Sequence, residues 1–166
     1  VLDWWNGCRS PLADYDLSGM ILGLTLKTKP EDIYRAMIES TAFGAKAIME
    51  RYRANGIAIE KANAAGGICR RNPFLMQLYA DILGIEIRVC SSTQATARGS
   101  AVFAGLACGY YDTMEASAAV LADKCEICYT PNSKNTERYL PLYEEYKTLT
   151  QYFGKETKVM KRLKAL

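Results

Sequence analysis

Apolar and polar positions follow two different periods along this chain, and the switches between them mark its elements. Ser18 to Leu26 is a short apolar run broken by Gly19 and Gly23, which reads as a strand or a tight strand-to-helix approach. A long helix follows. Thr28 and Glu31 have capping-box spacing, and Pro30 falls in the first turn, where its missing N–H does no harm. Ile33, Met37, Thr41, Ile48 and Tyr52 recur at helical spacing with Ala36, Ala45 and Ala47 between, until Asn55-Gly56 stops the helix. Ile57 to Ala65 predicts a strand, ended by Gly66-Gly67. Asn72-Pro73 opens the next helix as N-cap and first helical residue; Phe74, Leu75, Leu78, Tyr79 and Ile82 line its buried side, and Gly84 sits where a C′ glycine belongs.

Ile85 to Cys90 reads as a further short strand. A helix of small residues from about Gln94 to Gly109 comes next, with Ala97, Ala101, Ala104 and Gly105 on a thin face. Asp112 and Glu115 repeat the capping-box spacing for a helix to about Ala122. Beyond a loop around Pro131, the last long helix carries Tyr139, Leu142, Tyr143, Tyr146, Leu149, Tyr152 and Phe153, read as a packing face. Strand, helix, strand, helix, strand, helix and then an all-helical end predict an α/β layered domain. Val1 to Asp16, with Trp4, Trp5, Gly7 and Pro11, reads as irregular chain, and both tryptophans read as packing residues.

Composition narrows the chemistry. The 166 residues suffice for one domain with its own core. A net charge of +3 is too small to argue for a nucleic-acid surface. No apolar run is long enough to cross a bilayer, and no charged-then-apolar leader opens the chain. It begins at Val1 without an initiator methionine, which fits a piece of a longer protein. Six scattered cysteines read as reduced thiols of a cytoplasmic protein, and Cys125 and Cys128 form a lone CxxC without a second ligand pair for zinc. The chain contains no histidine, so no Ser-His-Asp or Cys-His site can be built from it.

Ala64 to Gly84 is the segment most suggestive of chemistry. Two glycines after a strand let backbone approach a ligand, and the following helix start offers free N–H groups and a positive dipole end. Strand-end crevices of α/β sheets are where ligands gather. This pattern suits the ribose and base of a nucleotide, and it suits a structural turn as well. There is no GxxxxGK[ST] phosphate loop.

Three stretches together resemble the FGGY family of carbohydrate kinases. Gly19-Met-Ile-Leu-Gly23-Leu24, continued by Asp32-Ile-Tyr-Arg-Ala-Met-Ile-Glu39, is similar to the family's second signature. Ala64 to Gly84 is similar to its adenosine motif, and Thr93 to Ala101 to the small-residue helix after it. Leu2-Asp-Trp-Trp-Asn-Gly7 with Arg9-Ser10 narrows the resemblance to L-ribulokinase-like members. The resemblance implies a ribonuclease-H-like, actin-like ATPase fold. Residues 1–110 would be a C-terminal kinase domain truncated at its N-terminus, and residues 111–166 its helical extension. It implies ATP and Mg²⁺ as cofactors and a ketopentose phosphorylated at a terminal hydroxyl, with xylulose, glycerol or a related polyol as alternative substrates. Gly66 and Gly67 would lie against ribose and base, with Asn72 ordering the loop and helix start. Arg71 stands where the family often has a small or polar residue. The family's phosphate motifs and catalytic-base aspartate fall before this sequence begins. The chain is therefore expected to be inactive alone, to contain no catalytic residue and no metal ligand, and to self-associate through edges and apolar surface left uncovered. A stand-alone, non-catalytic binding or oligomerisation module is the reading of a different class.

Overall fold

A computed structural model describes residues 1–166. The elements, in chain order, are α1 (Pro30–Ala54), β1 (Lys61–Ala64), α2 (Gly67–Arg71), α3 (Pro73–Leu83), β2 (Glu86–Cys90), α4 (Ala95–Ala107), α5 (Met114–Leu121), β3 (Cys125–Tyr129), α6 (Ser133–Gln151) and α7 (Val159–Lys164), with one π turn at Tyr152–Glu156. The sheet has the order β1-β2-β3. β1 and β2 are parallel, Lys61 facing Glu86 and Ala64 facing Val89, and are joined through α2 and α3 as a βαβ crossover. β3 runs antiparallel to β2, with a register shift at Val89/Cys90.

Helix starts sit where side chains leave them free to sit. α1 begins one residue later than the Thr28–Glu31 spacing predicts. The Thr28 hydroxyl is already taken by the Thr25 amide at 2.8 Å, and Asp32 instead accepts the Lys29 amide at 3.0 Å. Glu31 and Asp32 in the first turn and Arg51 and Arg53 in the last suit the helix dipole. α5 is likewise capped by Thr113, which accepts the Ala116 amide, and not by Asp112. α3 conforms to the local chemistry: Asn72 caps it, Pro73 opens it, and Gly84 closes it at φ 66°.

Two expected strands shrink and one unexpected strand appears. Ser18–Leu26 forms no strand; only Met20 pairs, exchanging both backbone bonds with Leu2, and Leu22, Leu24 and Leu26 are exposed. Ile57–Ala65 is a strand only from Lys61 on, because β2 starts at Glu86 and offers the earlier residues no partner. Cys125–Tyr129 falls in the stretch expected to be all-helical, yet it is β3. Its three middle residues are exposed, so it is held by pairing and not by burial, and it shows no apolar alternation to read.

α3 buries apolar residues on two sides because it separates two cores, while Phe74, expected on the buried side, is exposed. Leu78 and Ile82 enter a cluster with Leu2, Trp4, Leu17, Phe43 and the α6 tyrosines. Met76, Ala80 and Leu83 enter a second cluster with Met49, Ile85, Ile87 and Val89 under the sheet. The expected packing face of α6 fails at Leu142 and Tyr152, which are exposed, and holds for Tyr139, Tyr143 and Tyr146, buried around Phe43. Each of their hydroxyls donates to a carboxylate, of Glu39 (3.0 Å), Glu50 (2.8 Å) and Asp3 (3.4 Å) respectively. Burial, with Glu50 beside it, pushes the Tyr143 phenol far above its usual range.

One carboxylate ties α3 to the start of α6. Asp81 is 3% exposed. Its oxygens accept from Gln77, from the Asn132 amide and from the Asn135 side chain, each at 2.8 Å, and its carbonyl accepts the Thr136 hydroxyl at 2.8 Å. Asn132 in turn caps α6. Removing Asp81 takes the acceptor from the Asn132 amide, the half-buried Asn135 amide group and the Gln77 side chain at once. Asp81→Ala is expected to lower the free energy of unfolding by about 2–4 kcal/mol. Urea denaturation measures this, and a loss below about 1 kcal/mol would show that the network is dispensable.

Candidate functional site

β1 ends at Ala64, and the chain turns at Gly66 into α2. Gly66 has φ 110°, a conformation that side chains with a Cβ rarely adopt, so the turn itself requires glycine. The buried Cys69 thiol donates back to the Gly66 carbonyl at 2.9 Å and pins the turn. Gly67 is different. A Cβ there meets no protein atom within 4 Å, and its φ lies outside the left-handed region. Nothing in this chain needs glycine at that position.

The turn borders an open cleft of about 580 Å³ at the C-terminal end of β1. One wall is α1, through Tyr34, Met37 and Ile38; the other is α2 and the first turns of α3. Ala64, Ala65 and Ile68 form the rim and Trp5 borders the same space, whereas Gly66 and Gly67 flank these residues in the chain without lining the cleft. The lining is mostly apolar. At its base the Tyr79 hydroxyl donates to Thr41 at 2.9 Å, and Thr41 donates to the Ile38 carbonyl at 2.7 Å. Burial raises the Tyr79 phenol, against the Thr41 hydrogen bond.

The two tryptophans part company. Trp4 is buried in the core, as expected of a packing residue. Trp5 is 58% exposed at the cleft, its ring lying over Gly19 where any Cβ would collide with it. Dipeptide composition gives no signal for this separation. Tyr34 and Met37 likewise read as part of a helical stripe, and only the three-dimensional placement of α1 makes them a cleft wall.

Asn72 also borders the cleft, with its Oδ1 accepting the Leu75 amide at 3.0 Å. The free helix-end donors expected from the sequence are therefore mostly spent, since Pro73 has no N–H and Asn72 satisfies Leu75. The arginines after the glycines also differ from each other. Arg70 donates through its guanidinium to the Ser91 carbonyl and so ties α2 to the end of β2, whereas Arg71 is exposed. Asp3, Asp14 and Asp16, the early acids, do not converge on the cleft. Asp3 faces Tyr146, its carboxyl raised by burial, and Asp14 pairs with Lys161 at 2.5 Å.

The fold and this crevice define the class. The C-terminal domain of the FGGY family of carbohydrate kinases matches residues 1–108, and the chain belongs to that family. Within it, the chain is 52% identical to the ribulokinase of Bacillus licheniformis over 170 aligned residues, covering all of this chain and 31% of that protein. The chain thus spans about a third of the length of the curated relatives it matches. Its fold matches a ligand-bound xylulose kinase from Lactobacillus acidophilus at a TM-score of 0.73, with 24% identity over 93% of this chain and 32% of the other. It also matches Plasmodium falciparum glycerol kinase solved with ADP at 0.67, with 24% identity over 87% and 29% of the two chains. No helix of the chain is long and apolar enough to cross a membrane.

Asn72 is expected to contribute its cap to the cleft wall. Asn72→Ala should cost about 1 kcal/mol of stability and Asn72→Asp much less. Denaturant titration of both variants checks this, and equal losses would sink the cap argument.

Proposed function

We propose that this chain forms the adenosine-binding side of the cleft in an ATP-dependent ketopentose kinase of the L-ribulokinase kind. Bound ATP supplies the phosphoryl group that is transferred to a terminal sugar hydroxyl. The residues of this chain bind and orient: Gly66 and Gly67 give the ribose and base a backbone surface, the apolar cleft beside them excludes water from the base, and Asn72 keeps α3 and the turn in register. The observation that carries the reading is Gly67, a glycine that neither its φ nor any protein neighbour demands, next in the chain to Ile68, which lines a strand-end crevice. The identity with ribulokinases favours a ketopentose over a polyol as the substrate.

No three His, Cys, Asp or Glu side chains converge in this chain. Phosphoryl transfer relies on neutralising charge around the transferred group and on a base or positioning residue for the nucleophile. The cleft described here is apolar and supplies neither, so we infer that the chain alone transfers no phosphate.

Because Gly67 faces open space, a large side chain there should spare the fold and obstruct the ligand. Gly67→Leu is expected to weaken ATP binding in calorimetric titration by at least about tenfold, or about 1.4 kcal/mol, with an unchanged unfolding midpoint. Equal affinity in the two proteins would refute the adenosine assignment. In the same preparation, MgATP and L-ribulose should yield no ADP, and steady ADP release would overturn the inactivity of the isolated chain.

We also propose that the chain forms a homo-oligomer, because both sheet edges lack a further strand and Leu22, Leu24, Leu26, Phe103 and Tyr110 stand exposed. Sedimentation equilibrium should show mass above the monomer; a compact monomer at high concentration would end this idea.

A further inference from the structure

Cys90 closes β2 and Cys125 opens β3, and the two are partners in the antiparallel register. Their sulfurs lie 3.3 Å apart with both thiols free and half-buried. The pair lies at the β-bulge of the β2–β3 ladder, and the two sulfurs meet across it. Closing the bond needs the sulfurs to approach by roughly 1.3 Å.

The surroundings hold the two strand ends in place. The Ser91 amide donates to the Lys124 carbonyl at 2.8 Å. Asp123 accepts the Ser91 hydroxyl and the Ser92 amide, both at 2.9 Å. The residues flanking each cysteine are therefore already bonded to one another, so little chain entropy is lost on closure. The lone CxxC of the sequence is divided by this geometry: Cys125 faces Cys90, while Cys128 lies opposite Arg88 near Glu86.

We infer that Cys90 and Cys125 form a reversible disulfide that clasps β2 to β3 and stiffens α2, the helix after the glycine turn. The mechanical link is Arg70, whose guanidinium donates from α2 to the carbonyl of Ser91, the residue next to Cys90. The oxidant is a low-molecular-weight disulfide. The Cys125 thiolate, having lost its proton to water, attacks one sulfur of that molecule; an S–S bond forms and the other half leaves as a thiolate that takes up a proton. Cys90 then attacks the Cys125 sulfur of the mixed disulfide, forming the Cys90–Cys125 bond and releasing the second half as a thiol. Two protein S–H bonds are lost, one S–S bond is made, and one small disulfide is reduced to two thiols. Burial and the neighbouring Cys125 sulfur push the Cys90 thiol up to about 11, so Cys90 gives up its proton to water as it attacks the mixed disulfide.

The test is to incubate the chain with oxidised glutathione, block remaining thiols with an alkylating agent and map the peptides by mass. The expected result is a single linked pair, Cys90 with Cys125, an intact mass lower by two hydrogens, and full reversal by dithiothreitol. The same linkage is expected in a Cys108→Ser, Cys128→Ser double variant. Glutathione retained on Cys90 or Cys125, linkage of either to another cysteine, or alkylation of both would overturn the disulfide. Amide hydrogen exchange across Gly67–Arg71 should slow by about threefold on oxidation. Unchanged exchange in the linked protein would overturn the coupling to α2. Neither readout depends on nucleotide binding.

Discussion

Asp81 is the point from which the rest of the structure hangs. A carboxylate in a largely apolar helix is costly to bury unless its oxygens find donors. Here its oxygens are used by Gln77 in its own helix and by Asn132 and Asn135 at the start of α6. The same contacts fix where α6 begins, because Asn132 is also its cap. With that start fixed, the tyrosines of α6 meet α1 and the N-terminal segment at the heights where Glu39, Glu50 and Asp3 can receive their hydroxyls. α1 is thereby held as the far wall of the cleft. The cleft is thus built by a polar network on one side of α3 and a hydrophobic layer under the sheet on the other.

The two glycines of the turn obey different physics. Gly66 is a matter of backbone conformation: at φ 110° the chain could not turn this way with an ordinary side chain. Gly67 is a matter of space outside the chain, since a Cβ there would strain no torsion and strike no neighbour. A structural turn accounts for the first and leaves the second unexplained. A glycine pair in a sequence cannot express that asymmetry.

What the sequence made legible was what short-range chemistry decides. Asn72-Pro73 and Gly84 bound α3 as caps should, because each acts on its own few residues. The helix starts at Lys29 and Thr113 were missed by one residue for an equally local reason, competition for a side chain already engaged or better placed. Strands were less legible. Ser18–Leu26 has the composition of a strand but finds a partner only at Met20, and β3 lacks the composition but finds one in β2. Pairing is a property of two segments, and neither pattern contains the other. Asp81 left a faint trace, an acid among apolar residues at helical spacing from Gln77, but its partners in α6 are too distant in the chain to be inferred. The Trp5 position and the α1 wall of the cleft left none.

The chemistry of the cleft also limits what this part of a kinase can do. An apolar slot with a backbone edge suits a flat, weakly polar base, whose burial is driven by area and needs few directed bonds. Triphosphate charge is the opposite case and needs fixed donors and cations around it. Of the two arginines beside the glycines, Arg70 is committed to the Ser91 carbonyl and thus to the sheet. Asn72 is committed to the helix cap. The polar groups nearest the turn are therefore spent on holding its shape.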